Sequence, residues 1–131
     1  MFILPYPPSV NHYWRRAGSR TFISREGRVF RKKVVRILAA MGTRPMDGRL
    51  RVVVEVYPPD NRKRDLDNVL KALLDALQHG GAFHDDFQID QLSVLRHGKT
   101  AGGCVSVWVS KAAAPQQPVV SEWTEWNSEP R

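Results

Sequence analysis

Apolar positions along this chain change period several times, and each change predicts an element. Phe30, Val34, Ile37, Leu38 and Met41 recur at helical spacing. With Ser24 as N-cap and Gly42 as a stop, they predict a helix over 25–41. Residues 49–59, RLRVVVEVYPP, alternate charged and apolar before a β-branched run, which predicts a buried strand ended by Pro58 and Pro59. Leu66, Leu70, Leu73 and Leu77 then form a second helical stripe over 66–79, with Gly80 and Gly81 beyond it and Asp75 reading as a solvated face residue. QIDQLSVLRHG and GGCVSVWVSK read as two strands joined by a turn near GKTAGG, most simply a hairpin. At the start, FILPYPPS begins as a short strand and turns irregular at Pro5, Pro7 and Pro8, because proline cannot donate to a sheet ladder. Residues 9–23, SVNHYWRRAGSRTFI, show neither period and read as an extended loop.

The order is strand, helix, strand, helix, strand, strand. It predicts an α+β domain over residues 1–111, with two main helices packed on a small mixed β-sheet. From Ala112 to Arg131 no period is sustained, and a disordered or loosely attached tail is expected, with Trp123 and Trp126 in it.

Composition narrows the possible chemistry. At 131 residues the length fits one domain with a real core. The single cysteine, Cys104, excludes an internal disulfide framework and a cysteine-based zinc site. The four histidines, at 12, 79, 84 and 97, lack zinc-ligand spacing. The opening MFILP is too short for a signal-peptide core and no later segment could span a membrane, so a cytoplasmic protein is expected.

Charge changes the picture more. The formal net charge is +7, and the acidic residues 112–131 carry −2 of it, leaving +9 on residues 1–111. Nine Lys or Arg stand against one acid between residues 15 and 36. Such a surface suits a polyanion, nucleic acid first and an anionic membrane surface second. Arg25, Arg28, Lys32 and Arg36 fall on one stripe of the first helix, opposite its apolar face. Asn11, Tyr13, Trp14, Arg15 and Arg16 mix amide, aromatic and cationic groups, as a contact to unstacked bases requires; equally, the aromatics could pack on the core.

Against this basic background stands NRKRDLDN, residues 61–68. Asp65 and Asp67 sit where the second helix begins. They could be an N-cap and a first-turn acid, with Lys71 as an i,i+4 ion-pair partner of Asp67. They could also hold a cation together with the second acidic pair in HDD, Asp85 and Asp86, if the chain returns to the same point. Clustered Asp oxygens suit Mg²⁺, or Mn²⁺ in its place. Carboxylate-held metal beside Arg62, Lys63 and Arg64 is what phosphodiester cleavage requires, with Lys71 offsetting charge on the phosphate.

These residues resemble a known family, the RusA-type Holliday-junction endodeoxyribonucleases. The likeness rests on PPSVNHYWR, TFISREGRVFRKKV, PPDNRKRDLDNVLKALLDAL and FHDDFQI, in that order across residues 3–110. The resemblance implies a Mg²⁺-dependent homodimer that resolves four-way DNA junctions by symmetric paired nicks in recombination and repair. It implies catalytic roles for Asp65, Asp67, Lys71 and Asp86, with the aspartates as metal ligands and Asp85 able to share that role. Two other readings remain: a broader structure-specific endonuclease acting on flaps and forks, and a junction-binding protein that does not cleave.

Overall fold

The structure, a computed structural model, describes residues 1–114. The expected tail therefore falls almost wholly outside the described residues, and so do Trp123 and Trp126.

Strand β4 (Leu50–Tyr57) is the centre of the fold. Its even-numbered residues Leu50, Val52, Val54 and Val56 are all buried, while the odd-numbered ones face the other side and keep partial contact with water. Such alternation is what a sheet with one covered face demands. Strands β1 (Phe2–Pro5), β5 (Ile89–Arg96) and β6 (Cys104–Lys111) complete a four-stranded sheet in the order β1-β6-β4-β5. β6 is antiparallel to both β1 and β4, whereas β5 runs parallel to β4. The sheet is mixed, and the domain is α+β as expected.

The expected hairpin of β5 and β6 does not form. The two strands lie on opposite sides of β4, and the 97–103 connection crosses the end of that strand. His97 N–H donates to the Val56 carbonyl (2.8 Å) and Thr100 N–H to the Pro58 carbonyl (2.9 Å), which fixes the crossing. The physical reason is hydrophobic ranking. β4 is the most apolar strand and takes the central position with both edges paired. β5 has mostly exposed side chains and belongs at the rim.

Residues 9–23 are also more ordered than a loop. They form a short helix α1 (Val10–Tyr13) and a two-stranded ribbon of β2 (Trp14–Ala17) and β3 (Arg20–Ile23), antiparallel about Gly18. Period-based reading misses four-residue elements because they contain barely one repeat.

Helix α2 (Arg25–Ala40) starts as predicted, with the Ser24 hydroxyl accepting from Gly27 N–H at 3.0 Å. Phe30, Val34 and Leu38 are its buried stripe; Met41, expected in that stripe, is the C-cap and is exposed. The second helix begins with a 3-10 turn, Leu66–Val69, before helix α3 (Leu70–His79). Its two glycines stop it in different ways. Gly81 takes φ +83°, so that Ala82 N–H reaches the Leu77 carbonyl and Gly81 N–H the Gln78 carbonyl. Gly80 allows close approach of α2, since a Cβ there would lie 2.8 Å from Leu38 Cδ2.

α2 and α3 run side by side in the same direction, with Leu38 at Gly80 and Arg31 at Asp75. Asp75, which the sequence suggests is a solvated face residue, instead joins the layers. Its Oδ2 accepts from Arg31 Nη2 at 2.7 Å and from the hydroxyl of the fully buried Tyr13. Burial, and secondarily the bond to Asp75, push the Tyr13 hydroxyl up to about 12. A phenol kept neutral in this way contributes stability that is fully present below its ordinary value near 10. That contribution is lost as pH rises from there toward about 12. Tyr13→Phe should therefore cost about 1 kcal/mol at neutral pH and flatten the alkaline limb of stability; Asp75→Ala should cost about 2–3 kcal/mol, because it strands two donors. Urea unfolding from pH 7 to 12 measures both.

Candidate functional site

β4, α3 and β5 form a parallel crossover unit, so the carboxyl ends of both strands open at the same edge of the sheet. In sheets of this kind, ligands bind outside those carboxyl ends. A cleft of about 300 Å³ lies there, between the 58–66 connection that leaves β4 and residues 96–99 that leave β5. Asp65 is in its wall, facing Arg96, His97 and Lys99 across the opening.

The connection is held in shape by its own charges. Arg64 forks onto Asp60 (Nη1 to Oδ1 2.5 Å, Nη2 to Oδ2 3.2 Å) and lies over the Tyr6 ring. Asp60 also accepts from Arg62 N–H at 2.9 Å. The Arg64 guanidinium, and then that backbone bond, hold the Asp60 carboxyl down at about 2. The Arg96 guanidinium donates to the Arg64 carbonyl and ties the end of β5 to the same loop. Arg64, expected to grip DNA, is thus engaged in building the wall. Arg62 and Lys63 remain exposed beside it.

Asp65 is the residue before the 3-10 turn and Asp67 lies in that turn, both exposed. They occupy the N-cap and first-turn positions of a helix start, but without the side-chain bonds expected there. The Asp65 side chain makes no capping hydrogen bond. Among the described residues no ion pair within 4.0 Å joins Asp67 to Lys71, although both are exposed one turn apart. Asp65 thus lines a basic cleft, and Asp67 and Lys71 follow it along the helix start, with none of the three side chains partnered among the described residues. Unpaired acids repel one another and a phosphate ligand alike, and a hard cation would offset that repulsion.

Asp85 and Asp86 behave differently from each other. Asp85 caps the 3-10 turn Asp86–Gln88: its Oδ1 accepts from Phe87 N–H at 2.9 Å, and Gln88 closes the reciprocal bond. Asp86 makes no side-chain bond among the described residues, but its N–H donates to Gln78 Oε1 at 3.0 Å. Gln78 is at the far end of α3 from Asp67. At 1.5 Å rise per residue the helix from Asp67 to Gln78 spans about 16 Å, whereas ligands of one ion lie within about 2–2.6 Å of it. Convergence of Asp86 on Asp65 and Asp67 is not met within one chain, and among the described residues no group of three metal-ligating side chains forms. The donor types fit Mg²⁺; a single chain does not gather them.

Most of the remaining predicted contacts gather at the same end of the molecule. Tyr6, Pro7, Ser9 and His12 share a second depression with Arg62, Lys63 and Asn68. Next to it Asn11, Arg15 and Arg16 surround a third, with His12 and Glu26. The aromatics of that segment pack inward: Tyr13 is core, and Trp14 meets it edge-on at 5.1 Å. Arg25, Arg28, Lys32 and Arg36 are exposed along α2, with Arg25 nearest the cleft and Arg36 about 16 Å further along. Arg28 spends part of its capacity on the Ile23 carbonyl (3.2 Å). Sequence reading missed Tyr6, Arg96, His97 and Lys99. The RHGK run was visible, but a hairpin reading put it in a turn remote from the acids.

Among the described residues, no helix is long and apolar enough to cross a membrane. The family model described as Endodeoxyribonuclease RusA matches residues 5–110. The chain is 45% identical over 111 residues to a crossover junction endodeoxyribonuclease of Enterobacteria phage HK97, covering 84% of this chain and 92% of that one. It is 38% identical over 109 residues to proteins of the same description from Shigella sonnei (strain Ss046) and Escherichia coli (strain K12), covering 82% of this chain and 91% of each.

Proposed function

Given that the chain belongs to the endodeoxyribonuclease RusA family, we propose that it is a Holliday-junction resolvase: a Mg²⁺-dependent homodimer that nicks two strands symmetrically. The observation that carries this reading is the state of the acids. Asp65 and Asp67 make no side-chain capping bond and no ion pair among the described residues, yet they stand exposed, Asp65 in the wall of a basic cleft and Asp67 two residues on in the turn that follows. A protein that only binds junctions gains nothing from carboxylates that repel its ligand. Mn²⁺ is the expected substitute for Mg²⁺, since both take oxygen donors.

The chain's own residues define the remaining roles. Arg62 and Lys63 grip phosphates next to the scissile one, while Arg96 and Lys99 approach from the other wall. Lys71, exposed one turn into the helix, offsets charge as it builds on the phosphate oxygens. Arg15, Arg16 and Arg25 extend the positive surface toward a second arm, and Arg28, Lys32 and Arg36 lead it away along α2. A junction has approximate two-fold symmetry, and a C₂ dimer offers it two equivalent sites, so that paired nicks leave two ligatable duplexes. Such work in recombination and repair places the protein in the cytoplasm.

A synthetic four-way junction, with Mg²⁺ or EDTA, tests this beside linear duplex, flap and fork. Paired symmetric nicks confined to the junction and dependent on metal are expected. Equal cutting of flaps and forks would reduce the protein to a broader structure-specific nuclease. Tight junction binding with no nick in Mg²⁺ or Mn²⁺ would leave only a binding module.

A further inference from the structure

We infer that the groove between residues 5–8 and helix α2 seats a single DNA base, one left without a stacking neighbour at a branch point, and so favours branched over linear DNA. The inference rests on the proposed nuclease reading for the DNA itself, and on the groove for what it takes from that DNA.

The groove is a mostly apolar cavity of about 440 Å³. Residues 5–8, PYPP, form one wall. One stripe of α2 forms the other, where Arg25, Val29 and Lys33 recur at i, i+4 and i+8 beside Glu26 and Phe30. Phe30 is buried, whereas Val29 is 47% exposed. A lone exposed valine on a flat surface means little. In a concave site walled by proline and aromatic rings, it offers a contact surface to a flat apolar ligand.

Charge and position identify that ligand. Arg25 and Lys33 stand about 12 Å apart along α2, so cations flank an apolar interior. A nucleotide has the matching layout, with its phosphates outermost and its base between them. Glu26 turns phosphate away from the wall it occupies, but its carboxylate accepts from the amino group of a base. The groove is also continuous with the proposed DNA surface. Tyr6 lines it together with the cleft that holds Asp65, and Tyr6 and Pro7 both line the depression of Arg62 and Lys63. A strand leaving the cleft past those two cations meets the groove next.

The site is also rigid. Three prolines fix the backbone of the PYPP wall, and the Arg64 guanidinium, tied to Asp60, lies 5.7 Å from the centre of the Tyr6 ring. Little order remains to be lost when a base enters. In linear duplex every base is stacked, and drawing one out is costly; the cost is least where stacking is already broken. Contact with ring faces tolerates any base, so the groove sorts DNA by shape rather than by sequence.

Abasic scanning tests this. Full-length protein is titrated in EDTA, so that nothing is cut, with four-way junctions in which an abasic site replaces each nucleotide flanking the branch in turn. At one position of the scan wild-type affinity should fall roughly ten-fold, as loss of one stacked base predicts, and elsewhere it should stay near the intact value. Val29→Gln should lose a similar factor on the intact junction and nothing further on that abasic one, because the base and the side chain meet. Val29→Lys adds a cation, so it should bind linear duplex as well or better and yet bind the junction less well. Circular dichroism should show both variants folded, since the position is exposed. Full affinity for every abasic junction overturns the proposal, and so do losses from Val29→Gln and the abasic site that simply add; either gives the groove to a protein segment instead. A Val29→Lys chain that binds junction and duplex more tightly alike overturns it too. These readouts need no cleavage. Coupling in a chain that cuts nothing supports the base seat although the nuclease reading fails. A chain that nicks junctions but has no abasic-sensitive position overturns the seat and leaves that reading standing.

Discussion

Asp67→Asn is expected to reduce junction cleavage by about 10³-fold or more while junction binding stays the same or tightens. Loss of a carboxylate that helps hold a cation removes several kcal/mol of transition-state stabilisation, and each 1.36 kcal/mol is tenfold in rate. Binding is spared because the substitution leaves every cation of the cleft in place and takes one repulsive charge away from the phosphates. Stability should change by no more than about 0.5 kcal/mol, as the side chain is exposed and has no partner to lose. Single-turnover cleavage, a gel-shift titration without metal and urea unfolding separate these three effects. Binding that falls together with cleavage would remove Asp67 from the chemistry and make it a contact residue. Lys71→Ala offers a graded comparison: cleavage lower by about 10²-fold, as for removal of one donor aimed at developing charge.

What could be read from the chain and what could not divide along a physical line. α2, β4 and α3 each span enough residues for their period to show, and Ser24, Pro58 and Gly81 mark their ends through local backbone chemistry. Asp65, Asp67 and Lys71 were legible as candidates because an acid pair inside a basic run has few local explanations. Strand order was not legible. β5 and β6 are neighbours in sequence, and only competition for the most apolar partner, β4, separates them. That single non-local outcome decides where residues 96–99 lie, and so it hid half of the cleft wall. It also hid the placement of Asp86: an acid that follows a helix by seven residues is near the end of that helix, and the length of α3 forbids its return to the start. Asp75 looked solvated because its partners, Tyr13 and Arg31, come from segments that sequence spacing does not connect to it.

The two positively charged regions should differ in what their removal does. Arg62→Ala, Lys63→Ala and Lys99→Ala together take three exposed cations from the cleft without touching Arg64 or Arg96, which hold its wall. If each meets one phosphate, the slope of log affinity against log salt should fall by about 2.7, at 0.9 per contact. Affinity near 0.1 M salt should fall by about 10²–10³-fold, and cleavage at saturating enzyme should fall as well, because these cations align the strand beside Asp65. Arg28→Ala with Lys32→Ala removes two cations from the middle of α2. Its slope should fall by no more than about 1.8, with cleavage at saturation almost unchanged. The distinction lies in distance. A phosphate contact next to the reacting group fixes its position to a fraction of an ångström, whereas one in an outlying arm supplies affinity alone. Equal loss of saturated cleavage from both sets would mean that the arms and the scissile strand are positioned as one rigid unit. An unchanged salt slope for the α2 pair would take that helix off the DNA surface and leave the cleft end of the molecule as the whole of the interface.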